Sequence, residues 1–181
     1  MSWRDASTGS TMSRRRMLAL AGVAAAAVAL GGCGFQPLYG PTLGGDGLAD
    51  VMAAVEIETV PGRVGQELRN ELIFKTTGGR DALPPEYRLQ IALRESAEST
   101  LVQADGDARG LVFGLDADFI LVRVADNQSI LTSKASARAP YQKVESIFAN
   151  IRGRRDAEDR AARVLADNIR TRVAAFLSSA A

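Results

Sequence analysis

The chain has 181 residues, an apolar share of 46% and a formal net charge of +1, which suits one packed domain of ordinary size. It has no histidine and a single cysteine, Cys33. That excludes Ser-His-Asp and Cys-His nucleophile systems, an internal disulfide, and zinc sites built on histidine or several thiolates. Carboxylate or lysine catalysis stays chemically open, but the expectation is a non-enzymatic protein with no catalytic residues, no metal and no cofactor.

The first element in the chain is a leader. Arg14, Arg15 and Arg16 form a basic start, residues 17–30 are an uncharged, mostly apolar run, and Leu30-Gly31-Gly32 precedes Cys33. This is the layout of a secretory signal peptide. As a helix the apolar run would span about 21 Å, short of a hydrocarbon core of about 30 Å, so residues 1–32 are expected to be cleaved. Leu-Gly-Gly-Cys resembles the bacterial lipobox, in which a diacylglycerol group is attached to the thiol and the cysteine becomes the first mature residue. Cys33 is therefore the expected lipidation site, and two or more acyl chains hold a protein stably on a membrane. Gly34 follows, where enteric lipoproteins retained in the inner membrane have aspartate. The resemblance thus implies the periplasmic face of the outer membrane. Residues 13–18, Ser-Arg-Arg-Arg-Met-Leu, also resemble a twin-arginine motif, so the export route stays open, as does Met12 as an alternative start.

Removing residues 1–32 takes four basic residues and one acidic residue from totals of 22 and 21, leaving 18 against 20. A mature net charge of −2 argues against nucleic acid as a partner. Residues 33–50 hold two prolines and five glycines and read as a lipidated flexible tether. Phe35, Leu38 and Tyr39 are either docking points within it or simple tether composition. Residues 51–181 make up the domain.

Within the domain, residues 52–60 alternate at their end, with Val55, Ile57 and Thr59 on one face, and predict a half-buried strand broken by Pro61-Gly62. The spacing of Val64, Leu68, Leu72 and Ile73 predicts a helix closed by Gly78-Gly79. Residues 87–96 alternate again, with Leu89, Ile91 and Leu93 inward. Residues 111–126 predict a long apolar strand, Asp126-Asn127-Gln128 a tight turn, and residues 129–142 a further strand that Pro140 should end. The tail predicts the clearest helix. Ala161, Leu165, Ile169, Val173, Phe176 and Leu177 share a face, and Asp156/Arg160 and Asp159/Arg163 supply (i, i+4) pairs. Its start is open between a Ser146 cap and the region of Asp156. The order predicts an α+β two-layer sandwich, a four-stranded, mostly antiparallel sheet with two helices on one face.

A lipobox followed by "CGFQPLYG", the helix "GRVGQELRNEL" and the tail "YQKVESIFANIRGRRDAEDRAARVLADNIRTRV" resemble the LPS-assembly lipoprotein LptE family in its alphaproteobacterial form. The resemblance covers essentially the mature chain. It implies a plug that occupies and helps assemble the large outer-membrane β-barrel LptD, in a complex that moves lipopolysaccharide to the outer leaflet. It also implies that the plug itself binds lipopolysaccharide. The alternative is an auxiliary or ligand-binding lipoprotein of another envelope transporter.

Phosphorylated sugars call for clustered Arg or Lys. The candidates are Arg123, Lys134 and Arg138, with Arg88 and Arg94 on the earlier strand; an even separation puts Lys134 and Arg138 on one face. The competing reading is ordinary solvated charges on an exposed sheet. "RGRR" at 152–155 is followed by Asp156, Glu158 and Asp159 and reads as a solvated helix start rather than an anionic-ligand site. Ser96 and Ser99, beside Glu95 and Glu98, lack the partners of a hydrolase site.

Overall fold

The described residues form seven elements, the longer of which follow from apolar periods of two and 3.6. The computed structural model describes residues 47–102 and 108–180. In chain order they are α1 (Leu48–Ala53), β1 (Val55–Ile57), α2 (Arg63–Thr77), β2 (Tyr87–Val102), β3 (Ala108–Arg123), β4 (Gln128–Gln142) and α3 (Ile147–Ala180). The sheet order is β1-β2-β3-β4. The expected α+β architecture with a mostly antiparallel four-stranded sheet is the one observed.

The N-terminal end of the domain departs from the sequence reading. Leu48 to Met52, divided there between the tether and the start of the domain, belong to helix α1, and Leu48, Met52 and Ala53 are buried. The strand itself is only Val55–Ile57; Thr59 is exposed and Val60 takes the buried position instead. β1 pairs parallel with β2, Val55 opposite Tyr87. A parallel pair cannot be closed by a tight turn, so α2 serves as its crossover. Gly78, at φ 64°, takes the left-handed cap that ends α2.

β2 and β3 form a long hairpin, and β4 returns antiparallel along β3. Asn127, at φ 52°, and an acceptor contact from Asp126 Oδ1 to the Gln128 amide at 3.2 Å shape the β3–β4 turn. Pro140 does not end the ladder; it lies opposite Val112 and the pairing continues to Gln142. Its carbonyl accepts from Arg160 Nη2 at 2.9 Å. In a strand a residue's carbonyl and nitrogen point to the same side, so the proline nitrogen also faces the free edge, where no ladder bond is lost.

Odd-numbered residues of β3 and β4 build the core. Phe113, Leu115, Phe119 and Leu121 are fully buried, and Ala135, Ala137 and Ala139 are nearly so. α3 brings Ala157, Ala161, Ala162 and Ala166 to the same cluster, so small residues on helix and strand permit close packing. Leu165, Ile169 and Val173 of α3, and Leu68 and Leu72 of α2, complete it. Each such aliphatic side chain contributes about 1.5–3 kcal/mol on burial, against about 0–1 kcal/mol for an exposed ion pair. The apolar stripe, not the surface charge, therefore holds α3 down. Its start is at Ile147, with Ser146 Oγ accepting from the Ala149 amide at 3.4 Å and Ser146 O from Asn150 N at 3.0 Å. Of the two expected (i, i+4) pairs, Asp156–Arg160 forms at 2.9 Å, whereas Asp159 turns to Arg63 of α2.

Candidate functional site

Even-numbered positions of β2, β3 and β4 point to the face that α2 and α3 leave uncovered. In the "GLDADF" run, alternation buries Leu115, Ala117 and Phe119 and sends Asp116 and Asp118 outward. Asp118 lies opposite Lys134 and diagonal to Arg94. It accepts from Lys134 Nζ at 3.1 Å and from Arg94 Nη1 at 2.8 Å. Asp116 is gripped by Arg138, whose Nη2 reaches both carboxylate oxygens at 3.1 Å. Arg138 also donates to the carbonyls of Leu115 at 3.2 Å and Ala137 at 3.0 Å.

Space for this arginine comes from Gly114, directly opposite it. A Cβ at Gly114 would sit 3.1 Å from Arg138 Nε and would overlap Ser96 Oγ. The glycine thus lets the guanidinium lie across the strand. Hydrogen bonding from Lys134, then from Arg94, holds the Asp118 carboxyl below its ordinary value, although partial desolvation works against this. A depression of about 210 Å³ lies over Arg94, Asp116, Asp118, Lys134 and Ser136. That is smaller than a typical enclosing ligand pocket, so the surface suits contact with a headgroup rather than its engulfment.

The structure thus brings Arg94, Lys134 and Arg138 together and leaves two sequence candidates apart. Arg88 pairs with Glu56 at 3.3 Å and Glu58 at 3.7 Å beside β1. Arg123 closes the far end of β3 and pairs with Asp126 in the turn at 3.1 Å. It does not share the open-face cluster, because it lies beyond the register shift at Leu121 and Val122 and pairs with Gln128 beside the turn. The carboxylates that hold the cluster were missed by the sequence reading, although the alternation around Asp116 and Asp118 was signal enough. Cys33, the rest of the leader and the tether positions Phe35, Leu38 and Tyr39 lie outside the described residues.

A second charged cluster joins the helices. Glu158, nearly buried on α3, accepts from Arg63 of α2 and from Arg154 Nε at 2.9 Å, while Arg63 Nη1 also reaches Asp159 at 2.9 Å. The hydrogen bonds to Asp159 and Glu158 push the Arg63 guanidinium above its ordinary value. This is a structural tie between α2 and α3, extended by Lys75–Asp167 at 2.8 Å. Among the described residues, no group of three or more His, Cys, Asp or Glu side chains is placed to hold a metal ion. Nor is any described helix long and apolar enough to cross a membrane.

An open four-stranded sheet backed by two long helices is a fold that this chain shares with solved bacterial proteins described as lipoproteins. A Caulobacter crescentus protein assigned as a lipoprotein matches it with a TM-score of 0.60 at 20% identity, over 72% of this chain and 96% of that one. Rare lipoprotein B from Shewanella oneidensis matches with a TM-score of 0.52 at 12% identity, over 69% of this chain and 95% of that one. At these identities the likeness is one of fold. No family model and no curated protein matches the chain.

Proposed function

We propose that the protein is a non-catalytic, lipid-anchored accessory of an outer-membrane β-barrel of the LptD type, which it plugs and helps assemble during lipopolysaccharide transport. The observation that carries the reading is the lipobox on the only cysteine, leading into a domain whose fold recurs in bacterial lipoproteins. The resemblance of "CGFQPLYG" and "GRVGQELRNEL" to the LptE family supplies the barrel and the lipopolysaccharide. A small sandwich held by an apolar core, with charge pairs rather than exposed apolar surface on its open face, suits a polar lumen wall.

Arg94, Lys134 and Arg138 are the residues of choice for the phosphorylated sugar region. They are already paired with Asp116 and Asp118, so a bound phosphate would compete with those carboxylates. Lys134, 82% exposed along its side chain, is the cation most accessible for such an exchange. The test is affinity capture of the full-length protein from detergent-solubilised outer membrane. Recovery of a large β-barrel supports the reading; recovery of an inner-membrane transporter in its place points to an auxiliary role elsewhere in the envelope.

A further inference from the structure

The first turns of α3 carry an apolar stripe that no described residue covers. Ile147, Ile151, Arg154, Glu158, Ala161 and Leu165 succeed one another at helical spacing of three and four and so share one face. From Ala157 onward that face enters the core. Before it, no residue of 147–156 is buried, an overhang of about 15 Å. Ile147 is 78% and Phe148 71% exposed, with Ile151 and Val144 about half exposed beside them. Half of the large apolar side chains exposed among the described residues thus gather at one end of one helix.

The charge around this patch is predominantly positive as far as Asp156, which is itself paired with Arg160. Residues 143–155 contain Lys143, Arg152, Arg154 and Arg155 against the single acid Glu145. Elsewhere on the described surface most cations are tied to carboxylates, as at Arg63, Arg88, Arg94, Arg123, Lys134 and Arg138. Here Arg154 alone reaches a carboxylate, that of Glu158. Arg152 lies 5.8 Å from the centre of the Phe148 ring. The first turn has no acidic residue. Arg152, Arg154 and Arg155 follow in the second and third turns, beyond the reach of the macrodipole, and an anionic surface would attract them by charge alone.

We infer that the overhanging start of α3 is a membrane-docking element that inserts Ile147, Phe148 and Ile151 among the lipids of an anionic phospholipid surface, with Lys143, Arg152 and Arg155 on the headgroups. Aromatic and aliphatic residues flanked by arginine are the composition of interfacial helices. The element would add a second contact to the anchor expected at Cys33 and fix which end of the domain faces the bilayer. The inference rests on the overhang and its charge and does not require the barrel.

The test uses the full chain as the cell processes it, reconstituted in vesicles of phosphatidylcholine with or without phosphatidylglycerol, each containing brominated lipid. Trp3, the one tryptophan of the sequence, is expected to leave with the leader, so Phe148→Trp in one protein and Val164→Trp in another each supply a single probe; Val164 is also half exposed but lies further along the helix. The expected result is bromolipid quenching of the probe at 148 and not at 164, stronger with phosphatidylglycerol. Adding Arg152→Glu and Arg155→Glu should weaken it on the order of tenfold. These exposed substitutions leave the core intact, and far-ultraviolet circular dichroism checks that the fold is kept. Equal quenching at both positions, or none at 148, overturns the proposal. So does a probe at 148 that responds only to a co-purified protein or to the concentration of the chain itself, which would assign the patch to a protein partner or a second copy.

Discussion

Asp118 receives Lys134 from one neighbouring strand and Arg94 from the other, so one carboxylate balances two of the cations proposed to meet lipopolysaccharide. Its depressed titration has a definite sign. The stabilisation is present above its ordinary value near 3.8 and is lost as pH falls through the lower folded-state value. Asp118→Asn should therefore flatten the loss of stability below about pH 4, read from urea unfolding across that range. At neutral pH the same substitution frees both cations and should tighten binding of purified lipopolysaccharide. Lys134→Glu with Arg138→Glu should weaken it without unfolding the domain; unchanged binding in either direction would remove the site from this face. Gly65 sets a second constraint. A Cβ there would stand 2.8 Å from Val60 Cγ1 and 2.9 Å from the Val60 carbonyl oxygen. The backbone contact cannot rotate away, so overpacking of about 1–3 kcal/mol exceeds the helix-propensity gain of about 1 kcal/mol. Gly65→Ala should lower the urea midpoint at an unchanged slope, and a raised midpoint would mean that β1 and α2 separate easily.

At the level of elements, α3 depends on its buried stripe and uses its polar flank to guard the sheet. Arg160 and Asn168 donate to the carbonyls of Pro140 and Ser136, at 2.9 and 3.0 Å, along the free edge of β4. Covering an edge in this way removes a template for unwanted strand pairing. Leu165→Ala should cost about 2–5 kcal/mol in chemical denaturation, whereas Arg160→Ala should cost less than about 1 kcal/mol. Comparable losses would mean that the edge contacts, rather than the stripe, hold the helix. The elements also show what the sequence made legible. Leu89, Phe113 to Leu121 and the Ala161-to-Leu177 stripe could be read because each repeats one period for several turns or pleats. The alternation of Val55 and Ile57 marked β1 but not its bounds, and helix α1 could not be read, because six residues are too few to establish a period and tertiary burial of Leu48 and Met52 decides it. Pro140 misled for a different reason: whether a proline breaks a ladder depends on which side its nitrogen faces, and only the sheet order reveals that β4 is an edge. Arg123 was grouped with Lys134 and Arg138 by charge and strand proximity alone; its place relative to β4 depends on the hairpin register, which shifts between Leu121 and Val122 and is not readable from one strand.

For the molecule as a whole, the proposed anchor and the folded domain divide the work. Acyl chains at Cys33 would confine the domain to a membrane surface, and the sandwich would then meet its partners there at high effective concentration. Replacing Cys33 by alanine should abolish incorporation of labelled fatty acid and move the protein out of the outer-membrane fraction. A label retained on Cys33→Ala would refute the anchor. The open sheet face and the overhang of α3 are chemically different surfaces, one of paired charges and one apolar and cationic, so one domain can serve a polar barrel wall and a bilayer without conflict. The central proposal is that the chain is a lipoprotein serving an outer-membrane barrel, and affinity capture of the native, full-length protein from solubilised outer membrane tests it most directly. The account predicts stoichiometric recovery of one large β-barrel protein; capture of the intact chain without any barrel would contradict it.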